Sequence, residues 1–105
     1  MLKVLMEFRK GILFVRLYGY LNNNTIDIFN DEVKNIIITS GIKYVVLNID
    51  NLQGITKDGT KEIKKLKKTL KKSCGEFFLY GGEFKELKSL VNLENELKVF
   101  ERVVI

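Results

Sequence analysis

Residues 44 to 60 read Tyr-Val-Val-Leu-Asn-Ile-Asp-Asn-Leu-Gln-Gly-Ile-Thr-Lys-Asp-Gly-Thr, and the fold turns on how they are read. Tyr44 to Ile49 is a nearly unbroken apolar run with Lys43 before it and Asp50 and Asn51 after it. Such a run suits a central strand covered on both faces, as parallel strands in α/β layers are. Asn48 breaks it with a polar side chain near the strand's C-terminal end, where α/β sheets place ligands or contacts. Residues 51 to 57 then read as a loop leading into Asp58-Gly59-Thr60, where a helix opens.

Working outward, Ile63, Leu66 and Leu70 recur at i, i+3 and i+7, and lysines fill nearly all the rest as far as Lys72. That is a helix with one narrow apolar stripe. Phe77 to Tyr80, enclosed by Gly75 and Gly81, reads as the next strand. Phe84, Leu87, Leu90 and Val91 mark a short third helix, and Leu97 to Val103 a last strand.

Upstream, Leu2 to Phe8 and Ile12 to Tyr18 are β-rich runs separated by Arg9-Lys10-Gly11, which predicts an antiparallel hairpin. Asn22, Asn23, Asn24 and Thr25 then precede Ile26, Phe29, Val33, Ile36 and Ile37 at helical spacing. Asn24 or Thr25 is placed to accept from the free N–H groups of a first turn, with Asp27 at its positive end. A helix between the hairpin and Tyr44 requires a crossover and a parallel strand pair. The expectation is a single α/β domain over residues 1–105, with a mixed β-sheet, helices mainly on one face and the order β-β-α-β-α-β-α-β.

Composition narrows the chemistry. The 105 residues include one Cys and no Pro, His or Trp. No Ser-His-Asp or Cys-His arrangement can be assembled, and no zinc-binding cluster or HExxH site exists. Gly54 and Gly59 do not fit a phosphate loop, because Lys57 precedes the second glycine instead of following it. Asp50 and Asp58 lack further acidic neighbours at metal-binding spacing. The reading is of a protein that is not an enzyme and takes no metal or cofactor. A single thiol and an N-terminal run broken by Lys3, Glu7, Arg9 and Lys10 predict a cytoplasmic protein with neither signal peptide nor membrane span.

The net charge of +5 is concentrated. Residues 57 to 72 hold eight lysines against Asp58 and Glu62, for a local +6. Such a helix is either a solvated face or a surface that steers an acidic protein, a nucleic acid or an anionic membrane. Lacking Arg and interleaved aromatics, residues 61–72 would bind nucleic acid or an anionic surface weakly, without sequence preference and with steep salt dependence. Thr56 to Thr60 is open to two readings. Thr56 or Asp58 caps the helix and Gly59 permits close packing, or the junction is an exposed docking surface whose charge controls a partner.

Three pieces arrive in an order and spacing that resemble one family. Val15-Arg16-Leu17-Tyr18-Gly19-Tyr20-Leu21-Asn22-Asn23-Asn24-Thr25 resembles a strand running through "G-x-L-D" into a first helix. Val45-Val46-Leu47-Asn48-Ile49-Asp50-Asn51-Leu52 resembles a central strand, and Thr56-Lys57-Asp58-Gly59 the junction after it, with a weaker match through Leu87, Leu90, Asn92 and Leu93. The chain thus resembles an anti-sigma factor antagonist, a single STAS domain of the bacterial partner-switching systems.

The resemblance implies a non-catalytic regulatory module that docks on an anti-sigma factor of the serine kinase type, or on another STAS protein. In that family a Ser or Thr just before the junction glycine, in "D-S-[ST]-G", is phosphorylated. Asp58 stands at that phosphoacceptor position here, Lys57 precedes it, and Thr56 stands where the family has Asp. Asn22 replaces the family's Asp before the first helix, and Asn92 stands at its Gly near the third. The chain stops at the last strand, where the family commonly adds another helix. The contact surface this implies comprises Asn22, Asn23, Asn24, Thr25, Thr56, Lys57, Asp58, Gly59, Thr60, Lys61 and Lys64, with Thr56 and Thr60 left as hydroxyls for modification. A scaffold role in a larger assembly is the alternative within the family, and a monomer or weak homodimer is expected.

Overall fold

Two β-rich runs separated by Lys10-Gly11 close into a hairpin because both turn residues adopt φ > 0, 49° and 84°, as a two-residue turn between twisted strands requires. In this computed structural model, which describes residues 1–81 together with Phe84 and Leu87, β1 (Leu2–Arg9) and β2 (Ile12–Leu21) pair antiparallel from Leu2↔Gly19 to Arg9↔Ile12.

The chain then crosses over through α1 (Ile26–Phe29), a π-helical stretch (Asn30–Lys34) and α2 (Asn35–Ser40), which follow one another without a break. It returns in β3 (Tyr44–Asn48), parallel to β2 with Leu13↔Val45 and Val15↔Leu47. Next come β4 (Leu52–Ile55), α3 (Lys57–Lys72) and β5 (Glu76–Tyr80), the last parallel to β3. The sheet runs β1-β2-β3-β5, with β4 beside β2. It is mixed, with one antiparallel pair, as the hairpin and the crossover predict.

β4 corrects the expectation of a loop over residues 51 to 57. β2 is ten residues long. Its first half pairs with β3 and its last residues pair in parallel with β4, Gly19↔Leu52 and Leu21↔Ile55, across a bulge at Gly19/Tyr20. Nothing in Leu52-Gln53-Gly54-Ile55 announces a strand, since Gly54 weakens it and four residues are too few for a periodicity. The free edge of β2 supplies the backbone partners. The expected third helix and the strand from Leu97 to Val103 lie outside the described residues, except for Phe84 and Leu87. Leu87 is fully buried, and its N–H donates to the Phe84 carbonyl at 3.0 Å.

Alternation along the strands separates two faces. Leu13, Val15 and Leu17 of β2, Val45 and Leu47 of β3, and Phe77 and Leu79 of β5 pack against Phe29, Val33 and Ile37 of the crossover and Ile63, Leu66 and Leu70 of α3. This is the main core, and the α3 stripe predicted from spacing is its far wall. The opposite face carries a smaller cluster of Phe14, Val46 and Tyr80, with Ile12 and Phe78 at its margin. Among the described residues no helix is long and apolar enough to cross a membrane.

Candidate functional site

Both crossover connections leave the sheet at the same end. The first is the loop between β2 and α1. Asn22 Oδ1 accepts from the Asn24 N–H at 2.9 Å, and the Asn22 carbonyl accepts from the N–H groups of Thr25 and Ile26, each at 3.0 Å. Thr25 is 3% exposed; its hydroxyl donates to the Tyr20 carbonyl at 2.8 Å and accepts from the Asn22 N–H at 2.9 Å. The expected cap by Asn24 or Thr25 is therefore replaced. The Asn22 carbonyl takes the first N–H of α1, that of Ile26, with no side-chain cap, and Thr25 ties the loop back to β2 because its buried hydroxyl needs partners of its own.

The second is the loop that opens α3. Here the choice between Thr56 and Asp58 resolves to Thr56: its backbone is extended (φ −91°, ψ 172°) and its Oγ1 accepts from the Gly59 N–H at 3.2 Å. The Thr56 N–H donates to the Leu21 carbonyl at 3.0 Å, which locks the cap to the end of β2. Gly59 is buried against the same residue. A Cβ there would lie 2.6 Å from the Leu21 carbonyl oxygen and 3.0 Å from Leu21 Cγ, so the helix can approach the strand this closely only without a side chain. Thr60 is also buried, at 5% exposure, and its Oγ1 has no hydrogen-bond partner among the described residues. Thr56, Lys57, Asp58 and Lys61 are exposed.

These two helix starts meet. The Thr56 hydroxyl lies 3.4 Å from Asn23 Oδ1 and donates to it across a separation of 33 residues in sequence. Asn23, Ile26 and Asp27 from one side and Asp58, Lys61, Glu62 and Lys65 from the other line a cavity of about 330 Å³. Of the lining residues, Glu62 is held by Asn30 Nδ2, which donates to its Oε1 at 3.3 Å, and by Lys65 Nζ, 3.8 Å from its Oε2. The cavity wall thus mixes both charge signs, whereas the rest of α3 presents lysines alone.

Of the residues expected from sequence, Asn23, Asp58 and Lys61 line this cavity and Thr56 bonds to it. Asn22, Thr25, Gly59 and Thr60 form the support underneath, and Asn24, Lys57 and Lys64 are exposed beyond the lining. Ile26, Asp27, Glu62 and Lys65 join them without having been expected there. Asp27 and Glu62 are legible in the sequence only as first-turn and helix-surface charges, because lining one cavity requires the fold to bring the helices together. Asn48, singled out at the end of β3, is satisfied internally: Nδ2 donates to the Tyr80 hydroxyl at 3.1 Å and Oδ1 accepts from the Asp50 N–H at 2.9 Å. Cys74 is exposed.

A mixed sheet begun by a hairpin, with crossover helices on one face and two helix N-termini gathered at one end, defines a class. The STAS domain family model matches residues 3–104, and the chain belongs to that family. Among solved structures it is similar to an anti-sigma factor antagonist from Mycobacterium paratuberculosis, at 15% identity and a TM-score of 0.78, covering 99% of this chain and 94% of that one. It is similar also to the anti-sigma factor antagonist SpoIIAA in its unphosphorylated form, at 15% identity and a TM-score of 0.73, over 98% and 97% of the two chains. The phosphorylated form of the Bacillus cell fate determinant SpoIIAA matches at the same identity and TM-score, over 96% and 99%. No curated protein matches the sequence. At such identity the likeness establishes the fold, which is that of the anti-sigma factor antagonists.

Proposed function

We propose that this STAS domain is a non-catalytic regulatory module that docks, through the face built from Asn22–Thr25 and Thr56–Lys64, on an anti-sigma factor or serine kinase-like protein in a partner-switching pathway. The observation that carries the reading is the Thr56–Asn23 contact, which joins the two helix starts into one surface with Asp58 exposed at its rim. Family membership supports it, as does the shared fold with anti-sigma factor antagonists.

Charge is the control. Where a phosphorylated serine or threonine would bring about −1.5 to −2 into such a contact, Asp58 holds a permanent single negative charge, with Lys57 and Lys61 close by in sequence. Asp58 has no hydroxyl to modify. Thr56 is the exposed hydroxyl beside it, and phosphate there would remove the bond to Asn23 and so separate the two loops. Thr60 would become accessible only if the first turn of α3 opened.

The test is incubation with candidate anti-sigma kinases and ATP, mapping phosphate and complex formation for the wild type and Asp58→Ser. The expected result is a complex with the wild type and new phosphorylation in Asp58→Ser that dissociates it. A variant that neither gains phosphate nor alters binding overturns the switch role of Asp58. Absence of any protein partner, with no chemical-shift change around Asp58 on titration, overturns the docking reading.

One further observation favours a second reading. α3 exposes Lys57, Lys61, Lys64, Lys65, Lys68, Lys71 and Lys72, and one ion pair, Lys65 with Glu62, relieves this row among the described residues. Such a face supports weak, sequence-blind binding to nucleic acid or another polyanion. Filter binding near physiological salt decides it, since no retention there removes the idea.

A further inference from the structure

β1 lies at the margin of the sheet, and among the described residues β2 is its one paired strand. The hairpin turn makes Arg9↔Ile12 the closing pair, and at the other end the Tyr20 N–H donates to the Met1 carbonyl at 2.9 Å. Hydrogen-bonded and non-hydrogen-bonded pairs alternate in an antiparallel ladder. Lys3, Leu5, Glu7 and Arg9 therefore direct their backbone groups at β2, while Leu2, Val4, Met6 and Phe8 direct theirs outward. An open row of this kind is a template for another strand. It is also apolar for an edge: Leu5 is 43%, Met6 37% and Phe8 58% exposed.

We infer that β1 is a self-association edge, at which two copies of this chain pair antiparallel about Leu5 and continue one sheet across both molecules. The strand is self-complementary in that register. Pairing centred on Leu5 sets Lys3 of each copy opposite Glu7 of the other, Leu2 opposite Phe8, Val4 opposite Met6, and Leu5 opposite itself. Leu2, Val4, Met6 and Phe8 then meet one another as hydrogen-bonded pairs, which closes the open row on both copies.

Lys3, Glu7 and Leu5 fall at the non-hydrogen-bonded pairs, where Cα atoms approach to about 4.5 Å and side-chain contact is strongest. Moving the centre to Val4 faces Lys3 with Leu5 and Glu7 with Met1; moving it to Met6 faces Lys3 with Arg9, a like-charge pair. Among these only the Leu5 centre pairs opposite charges within β1, Lys3 with Glu7 on both sides, and its one mismatch is Arg9 opposite Met1, which lies outside the strand. A two-fold axis requires such self-complementarity of a closed dimer. Glu7 already lies 3.3 Å from Arg9 and is itself 66% exposed, so it can meet a second cation without leaving the first.

β1 shares no residue with the proposed docking face, so self-association and docking stand or fall separately. Sedimentation across a concentration series should show a monomer–dimer equilibrium. Lys3→Glu should raise the dissociation constant at least about tenfold, because it sets two like-charge pairs across the strands, and adding Glu7→Lys should restore it. In a Cys74→Ser background, which removes the exposed native thiol, Leu5→Cys should form a disulfide-linked dimer, since the pair falls within the usual Cα separation of about 4.4–6.8 Å. A chain that stays monomeric at millimolar concentration overturns the inference. So does a dimer indifferent to Lys3→Glu, or one in which Leu5→Cys fails to cross-link.

Discussion

The two halves of α3 are held by different physics. From Thr56 to Glu62 the helix is fixed by hydrogen bonds and one close approach: a cap bonded to Gly59, an N–H donated to Leu21, a glycine pressed on that same residue, and a hydroxyl reaching Asn23. From Lys64 to Lys72 it is held by Leu66 and Leu70 in the core, while its outer surface is a row of lysines. A surface built by short, directional contacts has one geometry and can carry specificity. A surface built from flexible like charges has a field but no shape, so it can attract a partner and cannot select one.

Removing the apolar anchor of the second half should have the largest effect. Leu70→Ala leaves a cavity in the main core and should cost about 3 kcal/mol in a urea titration. It should leave the hydrogen-bonded first half intact, visible as unchanged Asn23 and Gly59 amide shifts where the variant remains folded. Next comes Gly59→Ala. An alanine in place of a helical glycine would ordinarily help, but here, in the first turn, its methyl meets the Leu21 carbonyl, and a net loss of about 2 kcal/mol is expected. A neutral or stabilising outcome would falsify the close approach and erase the contrast between the halves.

Thr56→Ala removes the cap and should cost about 1 kcal/mol. It should also weaken partner binding by more than Thr56→Ser, which keeps the oxygen. Smallest is Lys68→Glu, which turns repulsion with Lys64, Lys65, Lys71 and Lys72 at i±3 and i±4 into attraction. The gain should be about 0.5 kcal/mol at low salt and should vanish at high salt, whereas the first three effects should persist. Salt dependence thus separates the two halves without reference to any partner.

Much of this molecule is legible in its residues because the relevant signals are local. Lys10-Gly11 encodes the turn, Ile63, Leu66 and Leu70 encode the buried stripe, and the apolar run at Tyr44–Ile49 encodes a covered strand. β4 escapes, since its pairing is supplied by the unoccupied last residues of β2 and not by anything within Leu52–Ile55. The π-helical stretch at Asn30–Lys34 escapes for a similar reason: helical spacing marks a buried face and does not report which carbonyl each N–H reaches.

The candidate site divides the same way. Asn22–Thr25 and Thr56–Thr60 stand out individually as polar helix starts, and the capping choice within each needs atomic distances. Asn22 displaces Asn24 and Thr25 as the acceptor, and Thr56 prevails over Asp58. Asp27, Glu62 and Lys65 acquire a role only when α1 and α3 lie side by side.

By itself, then, the sequence determined the hairpin, the covered strand β3, the strand β5, the buried stripe of α3, the parallel crossover and the concentration of positive charge on one helix, because each follows from spacing and sign along the chain. The tertiary structure alone decided that Thr56 meets Asn23 across 33 residues and that Gly59 rests on Leu21. It also decided that Thr60 is buried while Asp58 faces solvent. The reason is one of range. Periodicity and capping act over a turn or two of chain, whereas these contacts exist only after the sheet has carried two helix N-termini to the same end.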